Sequence, residues 1–477
     1  MISKQRVLVL PFPAQGHVKP LMLFSHKLAK QGFRITFVNS DFNYNRIISS
    51  AANKADHDEQ AMGSQIDMVS IPDGFGPDDD RAQLGPLYKG ILDTMPAKLE
   101  QLIATINGSA TAESRNDKIT CVVCDVNMGW ALEVAAKMGV RGASFCTTSA
   151  AMFVHMMKIM ELTKMAHPET MDNSDESATK KEKINQLPAG IPDMENIEWN
   201  LGDLDTMRIT TEYMLKVLLA SKTTDWWLCN TIYDIEPAAL SLLPKLLPIG
   251  PLRANETTGP GDISGSQFWA EDNSCLSWLD QQKPCSVIYV AFGSFTVHDQ
   301  GQFHELALGL ELTSRPFLWV VRPGFISKLG QDDAFDPDEL QSNKKNNNNI
   351  GKIVNWAPQQ KVLGHPSIAC FVSHCGWNST IEGLSNGVPF LCWPYFADQI
   401  PNKRYICDIW KVGLGFESNK KGIISSEEVK NKVDQLLGDV DIRRRSLELK
   451  EMVLKNIAED GQSSMNFNNF IQWLEKE

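Results

Sequence analysis

The sequence predicts an α/β protein made of two Rossmann-like domains, and three observations carry that prediction. The first is length: 477 residues exceed what one hydrophobic core organises, and two domains of roughly 200 residues each are the natural division. The second is the opening βαβ pattern. Arg6 to Phe12 is an apolar strand, and a helix follows from about Pro20 with Leu21, Phe24, Leu28 and Ala29 on one face. It ends at Gly32, and Ile35 to Val38 is the next strand. The third is a recurrence of short apolar runs in the second half: Ser286–Phe292, Phe317–Val321 and Ile368–Val372. Continuous runs rich in β-branched residues read as parallel strands covered on both faces.

Composition narrows the function. Hydrophobic content of 43% and charged content of 22% are ordinary for a globular chain. A net charge of −12 argues against nucleic acid as a partner. Val7–Phe12 is too short for a signal-peptide core, and no run approaches membrane-spanning length, so membrane insertion is not expected. Ten cysteines are scattered through apolar, strand-like stretches. Cys121-Val-Val-Cys124 has CxxC spacing, but on a strand its thiols face opposite sides, which disfavours zinc or redox chemistry. A reducing cytoplasm fits best. Asn107, Asn255 and Asn378 open formal glycosylation sequons, and the position of the last, inside the stretch Trp356–Gln399, speaks against secretion.

Within the first half, the turn Pro13–His17 lacks GxGxxG, which disfavours a dinucleotide site and hence a dehydrogenase. Sites on such sheets lie at the carboxyl ends of strands, where His17 falls. Ile119–Cys124 is a buried strand that delivers Asp125, Trp130–Met138 is helical, and Ala143–Thr147 is a strand with Thr147 at its tip. Met152, Met156, Met157 and Met160 recur at helical spacing beside Phe153 and His155. They read as core, or as an adaptable wall for varied apolar molecules. Residues 167–186 are charged and read as a loop. Pro248–Pro251 marks a boundary, and 253–266 a Gly/Thr/Ser-rich linker. Lys344–Asn349 is a low-complexity surface loop. Glu427–Leu437, Arg443–Ile457 and Ser463–Leu474 are helices.

The most informative stretch runs from Trp356 to Gln399. Strand Ile368–Val372 leads into the polar turn Ser373–Asn378. Ser379 and Glu382 match a capping box opening a helix that Asn386-Gly387 closes. Val388–Trp393 is the next strand. A helix N-terminus in such a turn presents N–H groups and a positive dipole end to a pyrophosphate. Singly, Ser379 and Glu382 could be no more than a cap, Trp356 an interface residue, and His374 a satisfied turn histidine.

Together, at these spacings, the stretch resembles the signature box of plant UDP-dependent glycosyltransferases. The resemblance implies the GT-B architecture, two Rossmann-like domains facing across a cleft, with the donor mainly in the second and the acceptor in the first. It implies that Trp356 stacks on uracil, the main chain at Ala357 reads the base edge, Gln359 lies beside the uridine, and Glu382 holds the ribose. His374, Asn378, Ser379 and the turn at Ser294 would hold the diphosphate. Trp377 would shape the sugar site, and Asp398 and Gln399 would bind sugar hydroxyls. His17 matches the catalytic base, Asp125 its acidic partner, and Thr147 a donor-side contact. Leu187–Pro192 and Trp199 would close over the acceptor.

The expectation is therefore an acceptor domain over 1–250, a linker at 251–274, a UDP-sugar domain over 275–457, and a terminal helix, 458–477, returning to the first domain. The reaction expected is inverting glucosyl transfer from UDP-glucose to a hydroxyl of a small apolar plant metabolite. A phenolic or flavonoid is the foremost acceptor, with terpenoid or steroid alcohols next. No cofactor and no metal are expected, and the protein is expected to be a monomer. Asp-x-Asp occurs at Asp203, Asp336 and Asp439, but among 58 acidic residues such pairs arise by chance. The alternatives are a UDP-sugar epimerase and a non-catalytic nucleotide-sugar-binding protein.

Overall fold

Apolar runs become strands and periodic stretches become the helices that cover them. The computed structural model describes residues 5–52, 65–77, 79–81, 83–110, 117–165, 188, 190–192, 204–224, 226–253, 267–323 and 351–476. The charged stretch 167–186, Trp199, Asn255, residues 254–266, Asp336–Asp338 and Lys344–Asn349 lie outside these residues. So do Asp203 and the side chain of Met160. The chain divides into two units, Met1–Ala270 with Asn456–Glu477, and Glu271–Lys455.

The first unit holds seven parallel strands: β1 (Arg6–Leu10), β2 (Arg34–Ser40), β3 (Ile66–Ile71), β4 (Ile119–Asp125), β5 (Arg141–Cys146), β6 (Trp226–Cys229) and β7 (Leu246–Pro248). Their order is β3-β2-β1-β4-β5-β6-β7. Alternation along β1 feeds two cores. Val7 and Val9 pack with the helix Gln15–Lys30, whereas Leu8 and Leu10 pack with Leu84–Ser109 and Trp130–Lys137. Cys121 and Cys124 fall in opposite layers for the same reason. The ten cysteines are free thiols, and Cys285 is exposed rather than buried in a strand.

The helix Gln462–Glu475 belongs to this unit, and Phe467, Phe470, Ile471 and Leu474 complete its first core layer. Arg141 fixes the end of that helix. Its Nη1 donates to the Trp473 carbonyl and its Nη2 to that of Leu474, each at 2.8 Å. A cation on the last carbonyls both satisfies them and suits the negative end of the helix dipole.

The second unit carries β8 (Val287–Ala291), β9 (Phe317–Val320), β10 (Gly351–Val354), β11 (Ile368–Ser373), β12 (Phe390–Cys392) and β13 (Gly413–Gly415), all parallel, in the order β10-β9-β8-β11-β12-β13. Ile288, Val290, Phe303, Trp319, Val372, Leu391 and Val429 lie in one core cluster. Among the described residues no helix is long and apolar enough to cross a membrane.

Two local expectations need correction. The first helix begins at Gln15, with Pro20 inside it, because Phe12–Ala14 completes the turn: the Ala14 N–H donates to the Phe12 carbonyl at 2.7 Å. His17 therefore stands in the first helical turn rather than in a loop. Likewise Ser379 and Glu382 form no capping box. The helix spans Trp377–Asn386 with Gly376 as its N-cap, and the Thr380 N–H donates to the Gly376 carbonyl at 2.9 Å. Gly387, at φ 67°, closes it in the left-handed conformation that glycine adopts without strain.

Candidate active site

In each unit the strand order reverses once, between β1 and β4 in the first and between β8 and β11 in the second. The crevice at such a switch point is where open α/β sheets bind ligands. His17 follows β1 and Asp125 ends β4. Ser294 follows β8 and His374 follows β11.

At the first switch point, His17 Nδ1 lies 2.7 Å from Asp125 Oδ2. Thr147, at the tip of β5, joins them: its hydroxyl donates to Asp125 Oδ2 at 3.1 Å and sits 2.9 Å from His17 Nδ1. Asp125 has no exposed side-chain surface, while His17 keeps 26%. The second carboxylate oxygen accepts the Asn127 N–H at 2.8 Å, so the group is oriented from both sides. With the Nδ1 proton committed to the carboxylate, Nε2 carries the lone pair that can take a proton. Tyr213 stacks on Tyr88 at 4.1 Å, and burial with the Asp125 charge pushes the Tyr88 phenol up to about 12, so it stays neutral.

The helix Ala150–Met165 starts beside this cluster with Met152, Met156 and Met157 buried. Glu236, fully buried, accepts the N–H groups of Ala150 and Ala151 at 3.0 Å each and the Thr231 hydroxyl at 2.7 Å. It caps that helix from far along the chain. His155 Nε2 meets the Pro192 carbonyl at 2.8 Å.

In the second unit Glu382 is the centre of a polar network. Gln359 Nε2 donates to Glu382 Oε2 at 2.8 Å and to Ser379 Oγ at 2.9 Å. Gln360 Nε2 donates to Glu382 Oε1 at 3.0 Å, and the Tyr289 hydroxyl donates to Gln359 Oε1 at 3.2 Å. Trp356 is half-buried, its carbonyl accepting the Asp272 N–H at 2.9 Å, and Ala357 is buried.

His374 is wedged between two glycine turns. A Cβ at Gly293 or at Gly376 would stand 2.5 Å from its Nε2. Burial pushes its pKa down to about 4, so the ring is neutral near pH 7. Ser294 and Asn378 are half-buried at the mouth of these turns. No side chain caps the helix at Gly376 and its first turn holds no acidic residue, so its dipole end has no built-in anion. Trp377 is buried against Trp410.

Asp398 and Gln399 open the helix Gln399–Arg404 region. Asn402 Nδ2 bridges Asp398 Oδ2 at 3.0 Å and the Cys375 carbonyl at 2.9 Å, tying the Asp398 turn to the His374 turn. Gln399 Oε1 accepts the N–H groups of Tyr395 at 2.7 Å and Phe396 at 3.2 Å, which leaves its amide nitrogen as the donor end. Asp439 is itself a helix cap, accepting the N–H groups of Asp441 and Ile442 at 2.9 Å each.

The geometry thus gathers His17, Asp125 and Thr147 in one place, and Gln359, Ser379 and Glu382 in another. Gln360, Asn402, Tyr289 and Glu236 were not singled out from sequence. Asn402 falls four residues after Asp398, on the same helical face, and that spacing was a usable signal.

Comparison with known proteins agrees with both halves. The family profile described as "UDP-glucoronosyl and UDP-glucosyl transferase" matches residues 221–458, and one described as "Glycosyltransferase, N-terminal domain" matches 4–204. UDP-glycosyltransferase 83A1 of Arabidopsis thaliana is 43% identical over 481 residues, covering 100% of this chain and 98% of that protein. A 7-deoxyloganetin glucosyltransferase of Gardenia jasminoides is 34% identical, with coverage of 99% and 98%. Among solved structures, Os79 of O. sativa in complex with UDP superposes with a TM-score of 0.78 at 26% identity, covering 98% of this chain and 100% of that one.

Proposed function

The chain belongs to the plant family 1 UDP-glycosyltransferases, enzymes of GT-B fold that use a UDP-sugar as donor, and from that premise we propose that it is an inverting glucosyltransferase acting on a hydroxyl of a small apolar metabolite. A phenol is the foremost acceptor. The observation that carries the mechanism is the 2.7 Å contact between His17 Nδ1 and Asp125 Oδ2 at the end of β4. His17 Nε2 takes the acceptor proton as the oxygen attacks the anomeric carbon, and the bond from that carbon to UDP breaks on the opposite face. Asp125 holds the tautomer and stabilises the imidazolium that forms, as a triad carboxylate does. The leaving diphosphate gains from the helix end at Trp377–Ser379, with His374 and Ser294 as donors. Trp356, Ala357, Gln359 and Glu382 hold the uridine, and Asp398 with the Gln399 amide holds the sugar.

Glucose is supported by the Gardenia relative, a glucosyltransferase by name, and by the Trp377 and Gln399 pairing, which resembles that of glucose users. Ten free thiols support a reducing, cytoplasmic setting. The test is incubation with UDP-glucose, UDP-glucuronate or UDP-galactose, with and without a phenol, read by mass spectrometry. UDP-glucose should exceed the other donors in kcat/KM by about tenfold or more, roughly 1.4 kcal/mol, and only when acceptor is present. Conversion of UDP-glucose without acceptor into a chromatographically distinct UDP-sugar of the same mass would identify an epimerase instead.

A further inference from the structure

A cavity of about 700 Å³ lies within the first unit, a volume suited to a small organic ligand. Phe42 and Arg46 of the helix Asp41–Ala52 form one wall, Phe75 and Arg81 a second, and Phe268 with Trp269 a third. The two arginines differ in one respect. Arg81 lies 4.2 Å over Phe42, and its charge is spent on Asp73, with Nε 2.8 Å from Oδ2 and Nη2 3.1 Å from Oδ1. Arg46 lies 4.6 Å over Trp269, 4.8 Å over Phe268 and 5.6 Å over Phe42, and makes no ion pair with any described residue. Asp41 also lines the cavity, but pairs with neither arginine among the described residues. Burial pulls the Arg46 guanidinium below its ordinary pKa, yet a guanidinium remains charged near neutrality.

A planar cation held among aromatic faces is pre-organised for two parallel hydrogen bonds to a carboxylate, while the rings provide flat apolar walls. The cavity is also coupled to the His17 turn. Gln15 Nε2 donates to Gln267 Oε1 at 3.2 Å, and the Phe268 N–H donates to Gln15 Oε1 at 2.8 Å. Gln15 and His17 share the first turn of one helix.

We propose that this cavity receives the anionic end of the acceptor, so that the preferred acceptors carry a carboxylate on an aromatic or apolar body in addition to the reacting hydroxyl. This rests on the reading of the first unit as the acceptor domain. A purely structural Arg46, pinning Phe268 and Trp269 to the helix, is the competing account. Ser50 already makes that tie, since its hydroxyl donates to the Gln267 carbonyl at 2.8 Å.

The test is calorimetric titration of the full chain, without UDP-sugar, using 4-hydroxycinnamate and its primary amide as matched probes. The wild type should bind the acid about tenfold or more tightly than the amide. Arg46→Gln should abolish that preference while changing amide affinity by less than about threefold, and Arg46→Lys should keep part of it. Equal binding of acid and amide by the wild type, no binding of the acid, or equal weakening of both probes in Arg46→Gln would each overturn the proposal. If Arg46→Gln does not fold, the acid-to-amide ratio in Arg46→Lys decides: a ratio unchanged to within about twofold overturns it. A separate transfer assay with UDP-glucose keeps the two readings apart. A protein that binds the acid through Arg46 but transfers no glucose to it refutes the proposed glucosyl transfer to a phenol, whereas one that glucosylates acid and amide equally refutes only the carboxylate preference.

Discussion

In the mechanism we propose, His17 serves as a base because a buried neighbour, Asp125 at 2.7 Å, dictates which nitrogen holds the proton. The help it gives should scale with how tightly the acceptor holds its own proton. General base catalysis contributes about 10²–10⁴-fold, so His17→Ala should cost roughly that with an aliphatic alcohol and markedly less with a phenol of pKa near 7. Rates measured across both acceptors, and at rising pH, check this; equal losses with the two would make His17 a positioning residue. Asp125→Asn should follow the same trend more mildly, since it disturbs the tautomer but spares the ring. Glu382 poses a similar question of orientation. Each of its oxygens accepts one glutamine amide, so the carboxylate is already aimed for the ribose that we propose it binds. Because Gly376, not Ser379, starts the helix, Glu382→Gln forfeits no cap. It should raise KM for the donor by about 10–100-fold, the equivalent of a charged hydrogen bond of roughly 1.5–3 kcal/mol, with only a modest fall in Tm from the one glutamine donor that loses its acceptor. A fall of several degrees at unchanged KM would assign Glu382 a structural role only.

At the scale of elements, the turns after β8 and β11 work as one clamp on the imidazole of His374. Gly376 has ordinary dihedrals, φ −60° and ψ 142°, so alanine there meets no backbone strain, only the ring 2.5 Å from its Cβ. Gly376→Ala should therefore cost about 1–3 kcal/mol of overpacking and raise donor KM together with the loss in Tm. Gly293→Ala should cost more, because its φ of 68° adds strain to the same clash. Thermal melts and donor kinetics on the two variants decide the order. These elements also show where sequence reading succeeds and where it stops. The strand ends that carry Asp125, Thr147, Ser294 and His374 were legible, because apolar runs that stop at polar residues mark sheet edges. The helix start was not: Ser-x-x-Glu is the pattern of a cap, but a Gly-Trp pair just before it let the helix begin earlier, and the serine became a third-position residue. Glu236 reaching back to Ala150, or Gln360 sharing Glu382, could not be read at all, since such pairings depend on how distant segments pack.

For the molecule as a whole, acid should act on both units, since burial also lowers His26 and His155 of the first, but most strongly through the second. Burial holds both His298 and His374 at about 4, whereas an unfolded histidine titrates near 6.5. Between those values the unfolded chain binds more protons, so stability rises with pH and is lost as pH falls through the window. Calorimetry from pH 7 to 4.5 should show a declining Tm, and His298→Leu, which cannot titrate, should flatten the decline; an unchanged slope would shift the cause to carboxylates. The first unit depends instead on its C-terminal helix. Deleting residues from Gln462 onward removes Phe467, Phe470, Ile471 and Leu474 from the core. At about 1.5–3 kcal/mol per buried side chain, the loss matches the whole stability of about 5–15 kcal/mol expected of a domain. The truncated chain should be insoluble, or its first unit should be digested by protease while residues 271–455 resist. That same helix sets a timetable for biosynthesis. The first unit's sheet leaves the ribosome early, yet the strip of core that Phe467 and Phe470 will cover stays bare while about 200 further residues are made, roughly 10–40 s at about 5–20 residues per second. During that interval the nascent chain offers chaperones an apolar groove on one unit while the other folds to completion behind it.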